Sequence, residues 1–232
     1  MDQDLVDSVL QDWKTASIGE RLRSALRLLE VMTLRPDNLN RQMVVDLQES
    51  GLTSPDLEEV AAVAFHFNFI NRVSDAVDFT MLDTKQTARQ ARLLNLIARV
   101  VTGGRTPEPS WTVGNDGLVR PAELSAAREY LLGYRGSVEP KLRTSIEGTA
   151  ASLWNASRAH YEIPKAVEDF VKPLSLYAYR IHDGLAAKVI EAGYSQRQLF
   201  EITLIGAFGA AIAAQEHLFE AMYEGNDRAP AA

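Results

Sequence analysis

The chain has 232 residues, a formal net charge of -7 at pH 7 and 46% hydrophobic residues, the composition of an ordinary globular protein. The acidity and the lack of a dense Lys/Arg run argue against nucleic acid as a partner, because phosphate binding needs clustered cations. Cysteine is absent, which removes disulfides, thiolate metal ligands and thiol nucleophiles.

The N-terminus, Met-Asp-Gln-Asp-Leu, is acidic where a signal peptide would be basic. The most apolar run, Ile202 to Ala214, has thirteen residues, short of the about 20 that span a bilayer. A cytoplasmic protein with no membrane partner is expected. Length alone leaves one large domain or two small ones open, and a single all-α domain over 1–232 is the expectation adopted.

In chain order, Leu22, Ala25, Leu26, Leu29 and Met32 recur at helical spacing and predict one buried stripe. Ser54 reads as an N-cap with Pro55 at the first helical position. The next amphipathic segment is 86–101, through Leu94, Ile97 and Val101, started by Asp83 and stopped by Gly103-Gly104. Residues 103–121 are rich in Gly and Pro and form a long loop, a linker or a lid. His182-Asp183 reads as a helix start. In the last third, Gly206, Ala210, Ala213 and Ala214 place small residues at helical spacing, for tight packing within the chain or for a subunit interface. The tail from 225 to 232 reads as frayed. No run of alternating β-branched residues suggests a strand.

One stretch occurs twice. Gly51-Leu-Thr-Ser-Pro-Asp-Leu57-Glu-Glu59 aligns without a gap on Gly193-Tyr-Ser-Gln-Arg-Gln-Leu199-Phe-Glu201, 142 positions later. Gly51 meets Gly193, Leu57 meets Leu199 and Glu59 meets Glu201. An apolar helical stretch follows each copy. The copies are placed at about 38–80 and 180–224, with the loop 103–121 between them.

After the first copy, Asn71, Ser74, Asp75 and Asp78 share one helix face. This polar stripe is the solvated side of an amphipathic helix or the wall of a pocket. Glu59 interrupts an apolar period, so a partly buried carboxylate there would have a raised pKa and could shuttle protons. Otherwise it steadies the first turns of its helix. His66 lies between Phe65 and Phe67 as a packed core histidine, or meets Asn71 or Ser74 across a helix break capped by Asn68. Arg72 pairs with Asp75 on the surface, or binds a carboxylate substrate. Glu216, His217 and Glu220 have the wrong order for a carboxylate-bridged metal site, and no metal or other cofactor is expected.

Glu59 with Phe65-His-Phe-Asn-Phe-Ile-Asn71-Arg-Val-Ser74-Asp-Ala-Val-Asp78 resembles the core helices of the alkylhydroperoxidase D and carboxymuconolactone decarboxylase superfamily. The stretch Glu191-Ala-Gly-Tyr-Ser to Glu201-Ile-Thr-Leu-Ile-Gly-Ala-Phe-Gly-Ala also looks like its peroxidase-related members. Those peroxidases carry a Glu, a Cys-x-x-Cys pair and a His four residues on. With that Glu on Glu59, the cysteines fall at Asn71 and Ser74 and the His at Asp78. The resemblance implies an all-α, alkylhydroperoxidase-like fold, assembly as a homo-oligomer and a pocket near the stripe. It does not carry over thiol peroxidase chemistry, which needs an attacking thiolate and a resolving thiol. The expected function is a small-molecule pocket with acid–base chemistry, in which Glu59, His66, Asn71 and Ser74 are catalytic and Arg72, Asp75 and Asp78 hold the substrate. The alternative is a non-catalytic oligomeric binding or scaffold protein.

Overall fold

The computed structural model describes residues 3–77, 121–133, 136–155 and 161–223. The predicted helix 86–101, the loop 103–121 but for its last residue, the tail 225–232 and Asp78 lie outside the described residues. Among the described residues all regular structure is helical: α1 (Gln3–Asp12), α2 (Glu20–Leu34), a 3-10 turn (Pro36–Asn38), α3 (Arg41–Glu49), α4 (Ser54–Ala76), α5 (Pro121–Leu132), α6 (Pro140–Ser152), α7 (Lys165–Tyr177), a second 3-10 turn (Ala178–Arg180), α8 (Asp183–Glu191) and α9 (Gln196–Tyr223). The fold class is all-α.

The offset of 142 positions holds well beyond the nine matched residues. It carries the first 3-10 turn onto the second, and α3 onto α8, residue for residue. Arg35 and Tyr177 take φ/ψ of -153°/57° and -150°/56°. Asn40 and His182, which precede α3 and α8, take -152°/169° and -142°/162°. Both hairpins turn on a glycine of positive φ, 99° at Gly51 and 97° at Gly193, a conformation that strains any side chain with a Cβ. The next N–H closes the turn each time, Leu52 to the Leu47 carbonyl at 3.2 Å and Tyr194 to the Val189 carbonyl at 3.3 Å.

The following helices start alike. The Thr53 hydroxyl accepts from the Asp56 N–H, and the Asp56 carboxylate accepts from the Thr53 N–H at 2.7 Å. Ser195 and Gln198 repeat that reciprocal pair, with the Ser195 N–H donating at 2.8 Å. The cap of α4 is therefore Thr53, not Ser54. Thr53 wins because the acceptor three residues on answers it.

The predicted stripe on α2 is met in part: Met32 is buried, and Ala25 and Leu29 pack half-buried against the core. Leu22 is exposed, and the buried face is Ser24, Leu28 and Met32. That face meets Val44, Leu47, Leu57, Ala61 and Leu218 in one apolar cluster. A second cluster joins Ile146 and Ala150 of α6 with Val167, Phe170 and Leu174 of α7, Val189 of α8, and Ile202 and Ile205 of α9. Between them Phe65 of α4 meets Phe208 of α9 edge to face, ring centres 5.6 Å apart. The two long helices run antiparallel, since the Tyr223 hydroxyl at the end of α9 donates to Glu58 near the start of α4.

α9 is apolar on all sides and passes through both clusters. By length and composition it could cross a membrane, but 78% of that stretch is buried inside the fold, as in a core helix. Its small residues let neighbours approach closely. A Cβ on Gly206 would lie 2.9 Å from Leu174 Cδ2, and one on Gly209 would lie 2.5 Å from the Glu147 carbonyl oxygen. The second contact is with backbone, which cannot rotate away. Gly209→Ala is expected to lower stability by about 1–3 kcal/mol, the usual cost of overpacking, as read from a urea melt. An unchanged midpoint would show that α6 slides freely on α9.

Candidate functional site

α4 is one unbroken helix of 23 residues. The expected break at Asn68 does not occur. Asn68 is buried in mid-helix, and its backbone and side-chain oxygens both accept from Arg72 Nη1 one turn later, at 2.8 and 3.1 Å.

Arg72 is the most connected of the predicted site residues, and it lies inward. Its Nε donates to the Ser175 carbonyl at 3.1 Å, and its guanidinium lies 5.8 Å from the centre of the Trp154 ring. The same carbonyl takes the Trp154 indole N–H at 3.0 Å. Ser175 is in the last turn of α7, where carbonyls lose their helical partners. Arg72 thus ties α4 to the end of α7. Burial lowers its pKa to about 10, against the opposing pull of Asp75, so it stays charged at neutral pH. The surface pairing with Asp75 expected from spacing is not the geometry adopted: Asp75 is exposed and Arg72 reaches α7 instead. The carbonyl with no helical partner and the indole face together hold the guanidinium inside.

The other predicted site residues are dispersed. Glu59 is exposed, not partly buried, and makes no hydrogen bond or ion pair among the described residues. His66 is half-buried and its Nδ1 lies 2.7 Å from the Ala62 carbonyl oxygen, within its own helix. Asn71 is exposed and Ser74 is half-buried. Seven residues and about 10 Å of helix rise separate Glu59 from His66. Two open clefts of about 490 and 450 Å³ lie between α2 and α3, and neither is lined by any of these residues. Both are flanked by Arg27, Glu30 and Asp46. Among the described residues no group of three or more His, Cys, Asp or Glu is placed to hold a metal ion. His217 turns its Nε2 to the Trp154 carbonyl oxygen at 2.8 Å.

Glu59 and Glu201 hold matching places and play different parts. Glu201 takes the Ser137 and Val138 N–H groups at 2.8 and 2.9 Å and the Ser137 hydroxyl at 2.8 Å, with the buried Arg143 guanidinium at 3.5 Å. It therefore fixes the segment that leads into α6. Gly136 makes the approach possible, because a Cβ there would collide with Arg143. Sequence reasoning missed this clamp, and also missed Glu147, which is buried and paired with Arg128 at 3.0 Å. The one available signal was Glu201 itself, four residues after Arg197 and inside an apolar helix.

The faces that these two glutamates begin differ in the same way. On α9, Glu201, Ile205, Gly209 and Ile212 share one side, and α6 lies across it: the Glu147 carbonyl oxygen and the Ala150 Cβ approach Gly209. Ile205 is 2% exposed and Ile212 7%. On α4 the same places are Glu59, Val63, Phe67 and Ile70, and here Val63 is 43% exposed, Phe67 63% and Ile70 54%. Three large apolar side chains in line on this helix are thus open to solvent. This face, and not the polar stripe beside it, is the candidate functional site.

No family model matches the chain, and no curated protein or solved structure matches it either.

Burial pushes the Glu201 carboxyl up. The N–H groups of Ser137 and Val138, the Ser137 hydroxyl and Arg143 outweigh it, and the group settles below its usual value of 4.5. A carboxylate held below its unfolded value contributes stability that is complete above that value and is lost as pH falls through the lower, folded one. Urea melts should therefore show Glu201→Gln less stable than the parent at pH 7, with the gap closing as pH falls below about 4.5. A gap that stays constant down to pH 3 would rule out the charged clamp.

Proposed function

We propose that this chain is a cysteine-free relative of the alkylhydroperoxidase D and carboxymuconolactone decarboxylase superfamily, and that it works as a non-catalytic, homo-oligomeric binding or scaffold protein. Two helical hairpins of matching geometry in one all-α chain support the kinship. One observation carries the choice of function: the Val63–Phe67–Ile70 face is open where the matching face of α9 is covered.

An acid–base enzyme would need Glu59 desolvated and within reach of a second titratable group. Glu59 is exposed, His66 is bonded to its own helix, and Arg72 is occupied by Ser175 and Asn68. Apolar surface of this kind is stabilised by covering it, at roughly 25 cal/mol per Å². Self-association covers it with surface that every copy already carries.

Light scattering at tens of micromolar should give a mass that is a multiple of 25.7 kDa. Phe67→Asp should bring it to that of one chain with an unchanged helical circular dichroism spectrum, because Phe67 lies outside the core. A parent protein that is monomeric at that concentration would overturn the reading.

The same reading predicts no turnover of an alkyl hydroperoxide by the purified protein with a dithiol donor. Catalytic consumption of peroxide would contradict it.

A further inference from the structure

The two hairpins α2–α3 and α7–α8 agree in their interior and oppose each other on their outer face. Leu28, Met32 and Leu47 match Phe170, Leu174 and Val189 at the common offset, and all of them are buried. Both hairpins therefore keep one register. On the outside, the end away from the turn keeps its charges: Glu20, Arg23 and Glu49 match Glu162, Lys165 and Glu191. Nearer the turn the signs reverse. Arg27 matches Asp169, Glu30 matches Lys172 and Asp46 matches Lys188.

Each set of three forms one patch. Arg27, Glu30 and Asp46 together flank both clefts between α2 and α3. On the other hairpin a hydrogen bond from Lys165 holds the Asp169 carboxyl below its ordinary value, and the charges of Lys188 and Lys172 act in the same direction. α7 and α8 thus bring these groups together. Arg27, Asp46 and Lys188 are exposed and make no ion pair among the described residues. Asp46 accepts only from Gln42, one turn earlier on its own helix. Glu30 pairs with Lys14 at 3.1 Å and Lys172 with Glu168 at 2.8 Å. Surface pairs of this kind contribute little and exchange partners readily.

We infer that the α2–α3 face of one copy lies on the α7–α8 face of the next, a head-to-tail contact in which Glu30 and Asp46 meet Lys188 and Lys172. Two hairpins of the same form, laid face to face with α2 and α7 running the same way, exchange left for right. α2 then lies against α8 of the next copy and α3 against α7. That sets Glu30 opposite Lys188 and Asp46 opposite Lys172. The clefts of about 490 and 450 Å³ beside the two carboxylates leave room for two lysine side chains. The same arrangement of two α2–α3 faces would set Glu30 against Asp46, and of two α7–α8 faces Lys172 against Lys188. The reversed signs therefore select the head-to-tail contact over a two-fold one. A contact of this type extends a row of copies or closes it into a ring. It is separate from the Val63–Phe67–Ile70 face. Because exposed charges are screened by salt, it is the weaker of the two and fills at low salt and high concentration.

The test uses full-length protein carrying Phe67→Asp, which takes the apolar face out of the measurement. It is sedimented at hundreds of micromolar in about 0.01 M and about 1 M salt, where charges act over about 30 Å and about 3 Å. At low salt the mass is expected to rise about twofold or more above the 25.7 kDa of one chain, and at high salt to return to it. Adding Glu30→Lys with Asp46→Lys, or Lys172→Glu with Lys188→Glu, is expected to give one chain at both. An equal mixture of those two variants is expected to regain the larger species at low salt, since the reversed face of each finds its opposite charge only on the other. Both variants stay net negative, so general attraction does not restore the contact, and restoration shows that both are folded. A single-chain mass for Phe67→Asp at low salt would overturn the inference. So would reversed variants that assemble unmixed, or a mixture that stays at one chain. None of these results bears on the α4 face, which the parent and Phe67→Asp test at tens of micromolar.

Discussion

Everything in this fold is arranged around the antiparallel pair of α4 and α9. Phe65 and Phe208 meet edge to face at its middle, and the seam on either side is built from alanines: Ala61 and Ala64 on one helix, Ala207, Ala210, Ala211 and Ala214 on the other. Small side chains bring the two axes close, and close axes exclude water from the seam. The end of α9 is then fixed by Arg41, which donates to the Met222 carbonyl at 2.7 Å, and by Tyr223 on Glu58. The two three-helix units can each complete a core only because this pair joins them: Leu218 of α9 closes the cluster of the first unit, while Ile202 and Ile205 close that of the second.

The likeness of the two halves makes their differences informative. Backbone geometry is shared from Arg35 to Leu57 and from Tyr177 to Leu199, through turn, helix, glycine and cap. Side chains at matching places have diverged in burial, and burial follows from whether a further helix lies on top. Glu201 under the segment leading to α6 is a hydrogen-bonded clamp. Glu59, exposed and without a hydrogen bond among the described residues, is a solvated carboxylate. Gly209 admits a helix backbone, and Phe67 offers a knob to be covered. The same framework supports a closed interior on one side and an open surface on the other.

Polar groups in the interior hold elements together. Arg72 satisfies the Ser175 carbonyl in the last turn of α7 and the oxygens of Asn68 on its own helix. Arg143 donates to carbonyls of Val138, Leu131 and Gly133 and stands beside Glu201. Arg23 does the same for the α1–α2 connection. Each is a planar cation serving several carbonyls that have left or never entered a helix. Loops that would otherwise carry unpaired buried carbonyls are fixed in this way.

The sequence by itself determined the all-α class, both hairpin turns and the offset that relates them. These depend on local rules: a glycine where φ must be positive, a hydroxyl answered by an acceptor three residues on, and apolar residues at helical spacing. It also marked Gly206 to Ala214 as small residues at helical spacing, a close-packing seam. It did not determine which face of α2 is buried, whether Arg72 lies outward or inward, or whether Glu59 is desolvated. Those depend on neighbours distant in the chain. The Ser175 carbonyl, 103 positions from Arg72, draws the guanidinium inside. Among the described residues, α6 lies over α9 and Glu59 of α4 stays exposed, so two equivalent glutamates have opposite surroundings. Periodicity reports that a face exists, and only the tertiary structure decides what lies against it.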